Sequence, residues 1–296
     1  ALPLKDISLI EARHQVVQYF LQNQEQLHFF SQQIQQISDL ERLISKVATR
    51  KVSPRELVIL ATSLDKISPL KETALQSQQE ALQLFGDQLH ECELLRQKIH
   101  QTLQPEAPVS IQKGNAIAHG IHPELDALRK ISFSGKEYLE DLEQRESTTT
   151  GIPSLKVAFN NVFGYYIEVR NTHKDKVPEE WIRKQTLVSA ERYITPELKE
   201  YETKILGAED KIASIEAQLY FELVQRLNAF VGAIQRNAYL IAQLDCLSGF
   251  AELAIKKNYA KPVVNDSFVI DIKNGRHPVI EGQLKPGEEY VPNDVY

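Results

Sequence analysis

Basic and neutral hydrogen-bonding side chains are interleaved between residues 170 and 192, where together they could bind phosphate oxygens. The basic members are Arg170, Lys174, Lys176, Arg183, Lys184 and Arg192. The neutral members are Asn171, Thr172, Gln185, Thr186 and Ser189. Such groups position a protein on a nucleic-acid backbone without reading its sequence, so the chemistry predicted here is non-specific phosphate binding.

The charge of this stretch is nearly balanced. Four acids oppose the six basic residues, leaving a surplus of two positive charges, and the acids are Asp175, Glu179, Glu180 and Glu191. Counterion release can therefore contribute only modest affinity. The most compact candidate is the polar run 183–186, for which a solvated loop with no ligand is the alternative interpretation.

The stretch 151–201 is the part of the chain whose pattern changes from helical to extended. Residues 155–160 and 165–170 alternate apolar and polar side chains, as half-buried strands do. A hairpin through Asn160, Asn161 and Gly164 would join them. Residues 184–194 are rich enough in β-branched and aromatic types to predict one further strand.

Aromatic side chains in the same stretch could stack on bases. They are Tyr165, Tyr166 and Trp181. Alternation places the two tyrosines on opposite faces, and a small sheet needs aromatic mass in its own core. We therefore assign Trp181 and one tyrosine to the core.

Two amphipathic helices flank the extended stretch, and each has apolar or small residues spaced alternately by three and four. In the first helix these are Leu125, Leu128, Ser132, Gly135, Leu139 and Leu142. In the second they are Leu198, Tyr201, Ile205, Ala208, Ile212, Ile215 and Leu219, after a start at Thr195 and Pro196. This spacing predicts the seam of an antiparallel helix pair, and the small residues in it would let the two helix backbones approach closely. The sheet is then the tip of an arm roughly 35 to 50 Å long.

The remaining chain is predicted mostly as helices. Capping boxes are predicted at Ser38 with Glu41 and at Ser53 with Glu56, and one amphipathic helix over 79–103. Residues 268–281 alternate as a strand, turn at Asn274 and resume as a strand. The predicted fold class is mainly α: a multi-helix core, a long antiparallel helical arm with a small antiparallel sheet at its tip, and a short C-terminal β segment. The predicted segments are 1–122, 123–150, 151–195, 196–260 and 261–296.

Composition excludes several classes of protein. The net charge is −6, so any nucleic-acid contact must come from a local patch. No run of 18 apolar residues and no signal peptide are present, and the sequence predicts neither membrane insertion nor secretion. The two cysteines are expected to be buried thiols, and His119 and His122 to be surface residues rather than metal ligands. The chain starts at Ala1 and lacks methionine, so we expect an excerpt of a longer protein.

Several long motifs resemble the central region of the MutS family of bacterial DNA mismatch-repair proteins. In chain order they are SDLERLISKVA, VSPRE, SGKEYL, NNVFGYYIEV, WIRKQTLVSAERYITPELKEYE, GRHPVIE and YVPND. The resemblance extends over essentially the whole chain. It implies a helical core or lever that carries a β-rich clamp at 151–195, and it implies that the clamp grips duplex DNA. It also implies that 261–296 begins an ABC-type ATPase domain.

The resemblance further implies cofactors, partners and a location. ATP and Mg²⁺ would serve the parent protein and none would serve this segment, although Tyr290 would lie against an adenine base. The parent protein would be a dimer around double-stranded DNA, with further mismatch-repair proteins as partners and no membrane association. It would be cytoplasmic in a bacterium and nucleoid-associated when bound. The chain has no Gly-x₄-Gly-Lys-Ser/Thr phosphate loop, so we expect this segment to hydrolyse nothing.

Three functional hypotheses remain at this point. The leading one is a DNA-clamping lever segment of a mismatch-repair ATPase. The second is a coiled-coil arm for protein interaction or dimerisation, with no autonomous DNA binding. The third, nucleotide binding retained at the carboxyl end, has the least support. A related branch of the family lacks the clamp, and the extended stretch 151–201 argues against that branch.

Overall fold

The computed structural model describes residues 3–160, 162, 164–285 and 288–296. The chain divides into two compact units. One unit comprises Ala1–Leu27 and Leu247–Tyr296, and the other comprises His28–Cys246. The predicted fold class is confirmed, because long helices dominate and one pair of them carries a small antiparallel sheet. The five predicted segment limits stay predictions.

Short helices make up the first part of the chain, and α2 runs from the smaller unit into the larger one. They are α2 (Gln24–Gln35), α3 (Leu40–Ala48), α4 (Pro54–Leu64), α5 (Ile67–Gln76), α6 (Glu80–Gln88) and α7 (Glu93–Thr102), after α1 (Ile7–Gln22) in the smaller unit. The capping box of Ser53 and Glu56 is confirmed at the start of α4. The other capping box is wrong, since Asp39 caps α3 by accepting a hydrogen bond from the Arg42 N–H.

The single helix predicted over 79–103 is also wrong, because α6 and α7 are separate helices with a break at 89–92. The His90 N–H donates to Oδ1 of Asn237 at 2.9 Å, and Nδ2 of Asn237 donates to the His90 carbonyl at 2.7 Å. These bonds satisfy backbone groups that a continuing helix would satisfy itself. Cys92 adopts a φ of 49° at the restart. A residue far along the chain therefore sets this break.

The two longest helices of the larger unit pack antiparallel along the predicted seam. They are α8 (Pro123–Thr150) and α9 (Pro196–Leu227). All six predicted seam residues of α8 are buried. A Cβ added at Gly135 would lie 2.5 Å from Cγ1 of Ile205, so the small residue permits the close approach that the sequence predicts. The rings of Tyr138 and Tyr201 stack with centroids 3.6 Å apart.

The predicted seam of α9 is correct only in its first half. Leu198, Ile205 and Ala208 are buried, but the later predicted positions Ile212, Ile215 and Leu219 are half-buried. Glu216 is fully buried instead and accepts from Nη2 of Arg129 at 2.5 Å. Its other oxygen accepts from the Ala116 N–H at 3.3 Å. The apolar seam thus gives way to a buried ion pair where the loop before α8 packs against both helices.

Four antiparallel strands follow α8 and precede α9, and we call them the tip sheet. They are β1 (Lys156–Asn160), β2 (Gly164–Arg170), β3 (Ile182–Thr186) and β4 (Ala190–Ile194), in the order β1-β2-β4-β3. The predicted β1–β2 hairpin is confirmed by the pairing of Asn160 with Gly164, whereas Asn161 lies outside the described residues. The one strand predicted over 184–194 is wrong. It is a second hairpin, closed by a bond from the Leu187 N–H to the Ala190 carbonyl at 2.8 Å.

The tip sheet has a core of its own on the side that faces the helix pair. Its members include Leu139, Leu142, Ile152, Leu155, Ile167, Val169, Trp181, Tyr193, Leu198 and Ile205. The assignment of Trp181 and one tyrosine to buried positions is confirmed. Trp181 belongs to this cluster and is 7% exposed, whereas Tyr166 is 6% exposed and lies under the Arg192 guanidinium. Burial of this cluster against both helix ends seats a sheet that would be marginal alone.

The carboxyl-terminal part contains α10 (Val231–Lys257), β5 (Ile272–Gly275), α11 (Pro278–Gln283) and β6 (Asn293–Val295). β5 pairs with β6, which confirms a short C-terminal β segment. The strand predicted after Asn274 is wrong, because Pro278 begins α11 and His277 caps it by accepting from the Ile280 N–H. Cys246 is exposed rather than buried.

Within the described residues, one helical stretch, Pro196–Lys257, is long and apolar enough to cross a membrane. Core helices of soluble proteins have the same length and composition, so this feature alone does not indicate membrane insertion. The prediction of no membrane partner stays a prediction.

Candidate nucleic-acid interface

The predicted phosphate-binding residues lie at the β3 side of the tip sheet and at the end of the sheet near the α8 terminus. We call this region the basic edge: Arg170, the 3₁₀ helix Asn171–Lys176, and residues 182–189. Its parts are joined by hydrogen bonds. The Asn171 N–H donates to the Ser189 carbonyl at 3.1 Å, and Nδ2 of Asn171 donates to the Val188 carbonyl at 3.0 Å. The fold therefore brings Ser189 next to Asn171 and its neighbour Arg170, although Ser189 lies 18 residues further along the sequence.

The two lysines of the 3₁₀ helix, Lys174 and Lys176, differ in whether the ammonium group is hydrogen-bonded within the protein. Nζ of Lys176 donates to the Gly151 carbonyl at 3.0 Å, at the carboxyl end of α8 where the helix dipole favours a cation. Lys176 therefore stabilises the junction between helix and tip sheet. Lys174 is exposed, and its charge lies within electrostatic reach of Glu191.

Lys184 occupies a β-bulge in edge strand β3. Arg183 pairs with Tyr193 and Gln185 pairs with Arg192, so Lys184 is the extra residue between them. A bulge on an edge strand redirects the side chain and discourages pairing with another chain. The Lys184 side chain is exposed and makes no ion pair or hydrogen bond with the described residues. The sequence predicts its charge but contains no clear signal for the bulge.

Arg192 is held inside the tip sheet. Its Nε donates to Oε2 of Glu168 at 3.1 Å, and its Nη1 donates to Oε1 of Gln185 at 2.9 Å. Its guanidinium also lies 4.3 Å from the centroid of the Tyr166 ring. With 18% of its side chain exposed, Arg192 and its partner Gln185 offer fewer free donors than the sequence alone suggests. This arrangement also covers Tyr166, which leaves that ring no open stacking face.

Arg183 is paired as well, but in a more open position. Its Nη1 donates to Oε1 of Glu191 at 3.2 Å, while 61% of the Arg183 side chain is exposed. The Tyr193 hydroxyl donates to the other oxygen of Glu191. That hydrogen bond, with the nearby charges of Arg183 and Lys174, lowers the pKa of Glu191. Burial and the Glu191 hydrogen bond raise the pKa of Tyr193 to about 12.

The cations of the basic edge therefore differ in solvent exposure and in whether an acidic side chain lies near them. Arg170 and Lys184 are exposed without a side-chain partner among the described residues, and Lys174 is exposed near Glu191. Arg183 is exposed but paired. Thr186 and Ser189 are exposed and can supply hydroxyl groups. These groups can bind phosphate oxygens, and their positions follow from one hairpin and one 3₁₀ helix.

The opposite end of the tip sheet is anchored to α9 by a buried carboxylate. Glu202 is 6% exposed and accepts from the Tyr165 N–H at 2.7 Å, and Lys199 also donates to it. Gly164 has a φ of 76°, and a Cβ there would collide with the Glu202 carboxylate. Sequence reasoning missed Glu202, because it lies beside the predicted seam position Tyr201 and a charged residue there is ordinarily assigned to the solvent face.

Other predicted sites lie away from the basic edge. His122 caps α8, because its Nδ1 accepts a hydrogen bond from the Leu125 N–H. Nδ1 of the exposed His119 lies 3.4 Å from Oδ1 of Asp126. No group of three potential metal ligands occurs among the described residues. Tyr290 is half-buried between α11 and β6, and its predicted contact with an adenine base stays a prediction.

Comparison with known proteins places these elements in a family. Residues 120–211 match MutS family domain IV, a segment that contains α8, the tip sheet and the first half of α9. The whole chain is 66% identical to the DNA mismatch repair protein MutS of Flavobacterium psychrophilum and 63% identical to that of Flavobacterium johnsoniae. It is 58% identical to the same protein of Christiangramia forsetii. In each case the match covers 100% of this chain and 34% of the relative. The chain spans about a third of the length of these relatives and belongs to the MutS family of DNA mismatch-repair proteins.

Proposed function

We propose that the tip sheet clamps duplex DNA through its basic edge and that the α8–α9 pair connects this grip to the helical core. The observation that carries the proposal is the set of exposed cations on a bulged edge strand and an adjoining 3₁₀ helix. Their charge is available to an external anion, while the rest of the tip sheet is packed on the helix ends. The clamp would act within a longer mismatch-repair protein.

The chemistry favours backbone contacts over base reading. Lysine, arginine and hydroxyl groups bind phosphate oxygens, and exposed cations make such binding sensitive to salt. Of the three aromatic rings that could have stacked on bases, Trp181 and Tyr166 are buried in the tip sheet, and the half-buried Tyr165 packs against its core. A clamp that grips phosphates can close on any duplex sequence. This property suits a protein that must act wherever a mismatch occurs.

The helix pair is built to keep the tip sheet in a defined position. Gly135 allows the two backbones to approach closely, and Lys136 pairs with Glu209 at 2.6 Å beside this contact. Nearer the tip sheet, Nη2 of Arg145 donates to Glu197 at 2.6 Å. Close packing along the pair lets a displacement at one end act on the other, which is the role of a lever.

The remaining functional assignments concern the longer protein. We infer from the family that it is an ATPase in which ATP and Mg²⁺ act in another region, with Tyr290 as a contact to the base. We also infer a cytoplasmic dimer around the DNA that meets further mismatch-repair proteins. For residues 1–296 themselves we propose binding and mechanical coupling, with no catalytic step.

A titration with fluorescently labelled duplex tests the clamp. Arg170→Glu combined with Lys184→Glu should weaken binding at least tenfold at low salt, because two exposed phosphate contacts become repulsive. The slope of log affinity against log salt should fall by about two. The matched control is Lys130→Glu with Lys211→Glu, which makes the same charge change on exposed positions of the two helices.

Unchanged affinity in the tip variant, or equal losses in the tip and control variants, would refute the assignment. Failure of the unaltered chain to bind duplex at low salt would favour the alternative, an arm for protein interaction or dimerisation. The exposed side chains Phe159 and Val162 on the β1–β2 hairpin are the observation that keeps this alternative open. Sedimentation of the unaltered chain would then reveal self-association.

A further inference from the structure

Glu191 places a fixed negative charge beside the basic edge. It lies on β4 opposite Thr186 of β3, and 12% of its side chain is exposed. One carboxylate oxygen accepts from Arg183 and the other accepts from the Tyr193 hydroxyl. Both oxygens are therefore occupied by groups of the tip sheet itself.

Tyr193 keeps this carboxylate in place. The Tyr193 side chain is almost fully buried, with its ring centroid 6.0 Å from that of Trp181, so its hydroxyl is a stationary donor. The pKa of Tyr193 is raised to about 12, and the hydroxyl stays protonated throughout the neutral range. The pKa of Glu191 is lowered, first by this hydrogen bond, so the carboxylate stays ionised there. Tyr193 thus holds the ionised Glu191 carboxylate in a position where it pairs with the exposed Arg183.

The Arg192–Glu168 and Arg183–Glu191 ion pairs of the tip sheet differ in how far solvent reaches the arginine. The Arg192–Glu168 pair is supported by Gln185 and a tyrosine ring, and only 18% of the Arg192 side chain is exposed. The Arg183–Glu191 pair leaves 61% of Arg183 exposed, so an external phosphate can reach the guanidinium. A phosphate that binds Arg183 must therefore compete with Glu191.

We propose that Glu191 is an internal counter-ion that restrains Arg183 and thereby weakens the grip of the tip sheet on duplex DNA. This inference rests on the proposed function. Because Glu191 competes with phosphate for Arg183, the tip sheet would bind DNA less tightly. Weaker binding would let the clamp release the duplex or slide along it. Lys174 lies within electrostatic reach of the same carboxylate but makes no ion pair with it among the described residues, so the restraint is assigned to Arg183 alone.

The test is Glu191→Gln in the full chain, measured by anisotropy with labelled duplex. Glutamine keeps an acceptor for the Tyr193 hydroxyl and removes the charge. Affinity should rise about two- to fivefold, the range expected when an exposed ion pair no longer competes. The salt slope should become steeper by about one, because Arg183 then contributes a full phosphate contact.

Glu180→Gln is the matched control, because it removes the same charge from an exposed position of the tip without a partner among the described residues. The proposal requires a larger effect at Glu191 than at Glu180. It also requires that Glu191→Gln have no more effect than Glu180→Gln once Arg183→Gln is present. Equal effects of the two single variants, or weaker binding by Glu191→Gln, would overturn it.

A second comparison does not depend on the folding of the Glu191 variant. Arg183→Gln should reduce affinity and salt slope less than Lys184→Gln, since Lys184 has no internal partner among the described residues. Equal or larger losses at Arg183 would contradict the restraint. If Arg170→Glu with Lys184→Glu leaves binding unchanged, the proposed function fails. If that variant weakens binding while the Glu191 comparisons show no difference, only the present inference fails.

Discussion

Gly135→Ala tests whether close backbone approach holds the helix pair together. An alanine in a helix interior is favoured over glycine by about 1 kcal/mol. At Gly135 the new methyl group would lie 2.5 Å from Cγ1 of the buried Ile205, which is well inside contact distance. Overpacking of this kind costs about 1–3 kcal/mol, so the free energy of unfolding should fall by about 0–2 kcal/mol.

Gly207→Ala on α9 supplies the matched measurement, since a Cβ there meets nothing within 4 Å. It should raise the free energy of unfolding by about 1 kcal/mol. The helix-propensity gain is common to both variants, so their difference of about 1–3 kcal/mol isolates the steric cost at the seam. Urea unfolding followed by circular dichroism measures both, provided the dependence on urea is unchanged.

In an Ile205→Ala background, the effect of Gly135→Ala on the free energy of unfolding should change sign. Ile205→Ala alone should cost about 2–5 kcal/mol through a cavity. In that background Gly135→Ala should stabilise, because the methyl group has room and helix propensity dominates. Equal stability of the Gly135→Ala and Gly207→Ala variants, or no reversal with Ile205→Ala, would refute the close-approach account of the pair.

Two further predictions concern ion-paired carboxylates. Glu216→Ala should lower the free energy of unfolding by about 3 kcal/mol, the lower end of the range for a broken buried ion pair, and urea unfolding measures this. The largely buried Arg129 guanidinium loses its shortest ion pair but keeps Asp126 at 3.4 Å and the Ile117 carbonyl at 2.8 Å. Glu56 contributes to acid sensitivity: burial raises its pKa, but hydrogen bonds from Lys46 and Ser53 outweigh burial and leave it below 4.5. Stability from Glu56 is thus present above pH 4.5 and lost as the pH falls through the lowered pKa, so Glu56→Gln should flatten the acid limb of a thermal-unfolding profile.

Each of these predictions has a control of the same residue type. Glu222→Ala changes an exposed acid on α9 and should alter the free energy of unfolding by no more than about 0.5 kcal/mol. Comparable losses at positions 216 and 222 would contradict the buried ion pair. Glu41→Gln changes an exposed acid of α3 and should leave the acid limb unaltered. An acid limb unchanged by Glu56→Gln would contradict the role given to that carboxylate.

Local signals in the sequence determined much of this fold. Alternation by three and four predicts all six buried positions of α8, because a helix packed along one seam buries one narrow stripe. Thr195 before Pro196 predicts the start of α9, and Ser53 with Glu56 predicts that of α4. Period-two alternation predicts β1 and β2, because a half-buried sheet buries every second residue.

Tertiary contacts decided the features that such patterns cannot contain. The break between α6 and α7 depends on Asn237, and the end of the α9 seam depends on the pairing of Glu216 with Arg129. Both arise from partners distant in the sequence. Local periodicity describes only which face of an element is apolar, so it contains no information about such partners.

For the candidate site as well, the sequence predicts some features and the tertiary structure decides others. The residue types of 170–192 already predict a phosphate-binding stretch, since charge and hydrogen-bonding capacity belong to the side chains themselves. Only the folded tip sheet decides which cations are available: the bulge exposes Lys184, the tip sheet encloses Arg192, and Glu191 restrains Arg183. Strand register determines these differences, because it sets which opposite charges lie within bonding distance.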